Sequence, residues 1–307
     1  MRNLDTVLNV CSENFAQFGN EEDCGRLFHG RGHVFPELEF LIVDWYPPYV
    51  MVGVFGENAS EKWLQELARG LQDMLPDLKA LAVQYRGGRK TECVDMIACV
   101  PDEHVIHEAG HAFMIHPKRN QNIGFFLDMS PARAWIKRNS NNCNVLNLFA
   151  FTCSFSVFAH AGGASRIVNN DMSKPILERG RENHLLNQQD LERVKFIPHN
   201  LFKSWGRVRQ FGRYDLIIID PPTNQRGSFV AEKDYGNVLK RISQIANPGA
   251  KIMTCLNSPF LPKRFLQEQI TRRAPHCKFV EDIPAAGSFC EQFPDQGLKI
   301  SIFRFQP

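Results

Sequence analysis

The stretch Tyr214-Asp215-Leu216-Ile217-Ile218-Ile219-Asp220-Pro221-Pro222 reads as a wholly buried strand that ends abruptly in an acid and two prolines. Upstream, NVLNLFAFT at 144–152 and RIVNNDMS at 166–173 have the same form, an apolar run of strand length closing in polar residues. Helix-like stretches follow each run. That alternation predicts a parallel sheet with helices on both faces, whose ligand lies along the carboxyl edge of the strands. Further strands fit at 194–198, 251–255, 278–282 and 298–305. No convincing helix separates the last two, so the expected fold is α/β, a Rossmann-like, seven-stranded, mostly parallel sheet with an antiparallel last strand.

Ahead of this sheet the pattern differs. FLIVDWYPPYVMVGVF at 40–55 reads as two strands around Pro47-Pro48, and 61–74 carries Trp63, Leu64, Leu67, Leu71 and Met74 at helical spacing before Pro76. Strands at 80–85 and 92–100 complete a small antiparallel α+β unit. The expected division is therefore an irregular lead-in over 1–36, a small α+β domain over 37–118 that contacts substrate, and a Rossmann-like domain over 119–307.

Composition fits a cytoplasmic enzyme. Of the 307 residues 43% are hydrophobic, yet no apolar run reaches the length of a membrane helix, and MRNLDTVLNVCSENF lacks the basic-then-apolar form of a signal peptide. Nine scattered cysteines without a CxxC pair read as reduced thiols. A net charge of +3 leaves nucleic-acid binding to local patches, with Arg86, Arg89, Lys90, Lys118 and Arg119 as the candidate.

The polar strand ends supply the chemistry. Asp171 is placed to accept hydrogen bonds from both hydroxyls of an adenosine ribose, or else to cap the next helix. Asn200, in IPHNLF, can accept from the adenine amino group or cap a loop. Phe151-Thr152-Cys153-Ser154-Phe155 is the turn a cofactor must approach closely, and it contains no glycine. Two prolines after Asp220 hold its carboxylate rigidly beside a transferable methyl group. Cys255, in KIMTCLNS, could as a thiolate attack C6 of a pyrimidine. Together these ends outline an S-adenosyl-L-methionine site.

At Gly124-Phe125-Phe126-Leu127-Asp128 with Arg133, Asn147-Leu148-Phe149, Asp171-Met172-Ser173 and Asp220-Pro221-Pro222-Thr223, the chain resembles the class I methyltransferases of large-subunit ribosomal RNA. That group makes 5-methylcytosine and 7-methylguanine. The resemblance spans about residues 37–307; the PUA domain that begins some members is expected to be missing. It implies that the cofactor is held by Phe126, Asp128, Arg133, Asn147, Phe149, Phe151 and Thr152. Asp171, Met172, Asn200, Leu201, Asp220 and Pro221 complete the set. Asp220 and Cys255 are the implied catalytic residues, RNA is the implied partner, and no metal or membrane is involved. The oligomeric state stays open, a homodimer included.

Three departures stand out: Asn122-Ile123 in place of Lys-Thr, Cys153-Ser154 in place of a glycine pair, and Asn200 in place of an acid. They bear on cofactor affinity, and the glycine-poor turn raises the alternative of an RNA-binding protein that kept the fold and lost the activity. Thr223 resembles the guanine-modifying group, Cys255 the cytosine-modifying one. From another class, His107-Glu108-Ala109-Gly110-His111 spells a zinc-peptidase signature, but its neighbours read as a hairpin rather than the helix that chemistry needs.

Overall fold

A computed structural model describes residues 4–20, 22–56, 59–87, 91–119, 121–225 and 228–307. The chain forms two compact units: 1–127 with 286–293, and 128–285 with 294–307. Among the described residues no helix is long and apolar enough to cross a membrane.

The first unit opens with α1 (Leu4–Phe15) and β1 (Gly25–His29), followed by β2 (Leu41–Tyr46), β3 (Tyr49–Phe55), α2 (Glu61–Met74), β4 (Ala80–Arg86) and β5 (Glu92–Ile97). The segment expected to be irregular is therefore a helix and a strand. Val7 and Cys11 of α1 are buried in the same core as α2, with Leu4, Leu8 and Phe15 of the same helix packed against it. The five strands pair in chain order. Because α2 crosses over between them, β3 and β4 run parallel, while the other neighbours are antiparallel. Ser60 caps α2 by accepting from the Trp63 amide at 3.3 Å.

β6 (His104–Glu108) and β7 (His111–Ile115) form a hairpin with Ala109 and Gly110 at φ 49° and 76° in its turn. Strand geometry thus separates His107 from His111, and among the described residues no cluster of three or more metal-ligating side chains exists. The peptidase alternative has no support here. Of the proposed basic patch, Lys118 is paired with Asp95 at 2.7 Å and Arg86 donates to Gln84 at 2.6 Å. Arg89 and Lys90 lie outside the described residues.

The second unit runs α3 (Ser130–Asn139), β8 (Asn144–Leu148), α4 (Ser154–Ala161), β9 (Arg166–Asp171), α5 (Lys174–Leu186), β10 (Val194–Pro198), α6 (Leu201–Gln210) and β11 (Tyr214–Ile219). After a short hairpin of β12 (Asn224–Gln225) and β13 (Phe229–Val230) come α7 (Ala231–Leu239), α8 (Ile242–Ile245), β14 (Ala246–Asn257), α9 (Lys263–Arg273), β15 (Cys277–Ile283) and β16 (Leu298–Phe305). Seven strands lie in the order β10-β9-β8-β11-β14-β16-β15, and β16 runs antiparallel to both neighbours. This is the expected α/β sheet. At its centre Leu216 and Ile218 face one core while Ile217 and Ile219 face the other. A continuous apolar run is what a strand covered on both faces requires.

Candidate functional site

β8, β9, β10, β11 and β14 run parallel, so their carboxyl ends share one edge of the sheet. After β8 the chain passes through Phe149, Phe151 and Cys153 at φ 59°, 48° and 62°. Each left-handed non-glycine residue costs on the order of 1–3 kcal/mol, so the surroundings must hold them. They do so through backbone and side-chain bonds: the Ala150 amide donates to the Asn170 carbonyl at 3.0 Å, and Asn183 Nδ2 donates to the Thr152 carbonyl at 2.9 Å. A glycine-like turn is thus made without glycine.

Cys153 fits because α5 presents Gly180 to it. A methyl group added at Gly180 would lie 2.4 Å from Cys153 Sγ. Gly180→Ala should therefore destabilise the fold by about 1–3 kcal/mol, as overpacking does. Adding Cys153→Gly should restore much of the loss by opening that space and relieving the left-handed residue. Urea unfolding of the four proteins checks this; an equal cost of Gly180→Ala in both backgrounds would refute the packing.

Asp171, at the end of β9, accepts the Ser173 amide on Oδ1 at 2.9 Å and the Phe151 amide on Oδ2 at 3.1 Å. It thereby ties its own strand end to the turn after β8. Burial raises its pKa, although these amide bonds pull the other way. Each oxygen keeps a further lone pair. Met172 beside it is 48% exposed. At the next strand end, Asn200 Oδ1 accepts the Phe202 amide at 3.0 Å and caps α6, whose first residue, Leu201, is buried. Asn170 Nδ2 donates to the Ile197 and His199 carbonyls at 3.0 and 2.9 Å, joining β9 to β10.

Asp220 directly follows β11. Burial, then the like charge of Asp128, raises its pKa to about 7. Pro221 is buried, and the Thr223 hydroxyl donates to the Asn257 carbonyl at the end of β14. Tyr235, unforeseen in the sequence, places its hydroxyl 3.0 Å from the Cys255 carbonyl and 3.3 Å from that of Ile219. One phenol so bridges the ends of β11 and β14.

Cys255 itself is fully buried among Met253, Ile218 and Ile300. Burial first, then the charges of Asp220 and Asp128, pushes its thiol well above the ordinary range. Such surroundings disfavour the thiolate that a nucleophile must present.

The remaining expected residues are spread more widely. Phe149 is half-buried, its ring edge-on to Phe229 at 5.1 Å. Arg133 is fully buried in α3, its guanidinium 6.0 Å from the Phe158 ring centre. Phe126 belongs to the first unit and is 38% exposed. Asn147 is buried within β8 and donates to Asn169 at 2.9 Å. That contact opens an interior network through Ser156 and His184 to Gln189.

Residues 25–304 match the family described as S-adenosylmethionine-dependent methyltransferase. Over 248 residues the chain is 26% identical to Ribosomal RNA large subunit methyltransferase I of Aeromonas salmonicida, covering 77% of this chain and 62% of the relative. Its counterpart from Pseudoalteromonas translucida is 29% identical over 213 residues, 65% of this chain and 54% of the relative. The chain thus spans less than two thirds of the length of either. Among solved structures, a methyltransferase complexed with S-adenosylhomocysteine superposes with a TM-score of 0.85 at 19% identity, over 98% of this chain and 81% of that one.

Proposed function

The chain belongs to the S-adenosylmethionine-dependent methyltransferase family, and on that premise we propose that it methylates a base in RNA, with ribosomal RNA as the substrate class. The acceptor we infer is a ring nitrogen such as guanine N7, rather than C5 of a pyrimidine. Two named relatives act on ribosomal RNA, which supports the substrate class. The burial of Cys255 carries the choice of atom, because C5 needs a thiolate while N7 is already nucleophilic.

The donor set fits the cofactor. Asp171 offers two carboxylate oxygens with spare lone pairs to ribose hydroxyls, and Asn200 keeps one lone pair and its amide protons for an adenine edge. The turn at Phe151-Thr152 would lie against the amino-acid part. When bound, the cofactor supplies an electrophilic methyl carbon on sulfur. Asp220, held by Pro221 and Pro222, would orient the base by accepting one of its N–H groups.

The test is transfer of isotopically labelled methyl groups to unmodified large-subunit ribosomal RNA, followed by nucleoside analysis. Methylated guanine is expected, with Cys255→Ala active within about twofold of the wild type, since positioning alone serves a ring nitrogen. Methylcytosine, lost completely in Cys255→Ala, would overturn the choice of atom.

A further inference from the structure

From Val194 to Arg213 the chain carries Lys195, Lys203, Arg207, Arg209 and Arg213 and no aspartate or glutamate. With 36 basic and 33 acidic residues in the whole chain, everything outside this segment is net negative by two. The positive balance of the protein is therefore local. All five cations are exposed, and among the described residues none pairs with a carboxylate. Arg207 donates to the ring of His199 instead, and Arg213 to the Ala246 carbonyl at 2.8 Å.

The helix arranges three of them. Leu201, Ser204, Trp205 and Val208 of α6 are buried. At 3.6 residues per turn the opposite stripe holds Lys203, Gly206, Arg207 and Gln210, with Arg209 on its flank. Gly206 is the informative member. It sits inside an exposed helix, where glycine is unfavourable relative to alanine, and a Cβ added there would meet nothing within 4 Å. Among the described residues no neighbour requires the missing side chain. A partner backbone that comes close between the cations would.

We propose that this face of α6 is a docking track for the sugar–phosphate backbone of the RNA substrate, with Lys203, Arg207 and Arg209 contacting phosphates and Gly206 allowing their close approach. It rests on the reading of RNA as substrate. The helix is capped by Asn200 and begins at Leu201, so a strand lying along it leads to the carboxyl edge of the sheet. Phosphate contacts of this kind fix position without reading sequence.

The experiment compares wild type, the triple variant Lys203→Ala, Arg207→Ala, Arg209→Ala, and Gly206→Ala. Binding of a fluorescent fragment of bacterial large-subunit ribosomal RNA is followed at several salt concentrations. The triple variant should bind about tenfold or more weakly, with a log–log salt slope shallower by about 2, near 0.7 for each lost contact to a single strand. Gly206→Ala should raise the melting temperature by about 1–3 °C yet weaken RNA binding. A merely structural glycine would show the first effect without the second. Unchanged affinity and slope in the triple variant would overturn the track. Equal competition by duplex DNA, or capture of polyglutamate in place of RNA, would overturn its assignment to RNA. Calorimetry with S-adenosylhomocysteine separates the two levels: the variants should keep the wild-type affinity within about twofold, as the phosphate contacts are independent of the cofactor. Intact cofactor binding with unaltered RNA binding sinks the track alone, whereas absent cofactor binding in the wild type sinks the underlying function.

Discussion

Replacing Asp220 with asparagine should lower methyl transfer by about a hundredfold while making the protein more stable at neutral pH, on the order of 2–4 kcal/mol. Both effects follow from one environment. Burial and the neighbouring Asp128 raise the Asp220 pKa from 3.8 to about 7. The folded protein therefore holds a proton there that the unfolded chain releases, so stability falls as pH climbs from about 4 to 7 and the deficit is complete above 7. Asparagine has no charge to desolvate and escapes that deficit. It also cannot act as an anionic acceptor for a base N–H, so the wild-type rise in kcat/KM through about pH 7 should flatten in the variant. Denaturant unfolding at pH 5 and pH 8 should show the stability gap widening with pH. Equal stability at both values, together with undiminished transfer, would remove Asp220 from the proposed role.

The second large effect concerns the interior beneath the strained turn. Asn147 Nδ2 donates to Asn169 Oδ1 at 2.9 Å, and Asn169 Nδ2 donates to Ser156 Oγ at 2.9 Å. Ser156 Oγ lies 2.7 Å from His184 Nε2, and His184 Nδ1 lies 2.6 Å from Gln189 Oε1. With its proton on Nδ1, neutral His184 accepts from the serine and donates to the glutamine. An imidazolium would strand the serine proton.

Burial accordingly lowers the His184 pKa from 6.5 to about 4. The unfolded chain takes up this proton first, so stability is lost as pH falls below about 6.5. The loss amounts to about 2 kcal/mol at pH 5 and about 3 kcal/mol at pH 4. In His184→Gln, stability should vary less between pH 7 and pH 5 by about the same 2 kcal/mol. Parallel pH profiles for the two proteins would show that the histidine titrates normally.

Much of the architecture was legible because local signals agree. Ser60 and Pro76 bracket α2, and the Leu216–Ile219 run admits only a strand covered on both faces. The Ala109-Gly110 turn likewise outweighed the zinc-peptidase spelling. α1 could have been read as well: Leu4, Val7, Leu8, Cys11 and Phe15 recur at helical spacing, a stripe masked by the glycine-rich stretch that follows at 25–32. Within the site, Asp171 and Asp220 stand at strand ends that the pattern marks directly. For Cys255 the pattern is silent, since alternation cannot say which face of a doubly covered strand is open, and β14 stays buried from Ile252 through Leu256 before the exposed Asn257. The asparagine network escaped notice because its hydrogen bonds join residues far apart in sequence. Only the polar residues inside otherwise apolar strands, Asn147 and Asn169, hint at it.

The decisive measurement is calorimetric titration of the wild type and Asp171→Ala with S-adenosylhomocysteine. Micromolar binding that weakens more than about tenfold in the variant is expected, the loss of charge-assisted hydrogen bonds worth about 1.5–3 kcal/mol. No binding by the wild type, or the same affinity in both proteins, would contradict a cofactor held by the carboxyl edge of this sheet.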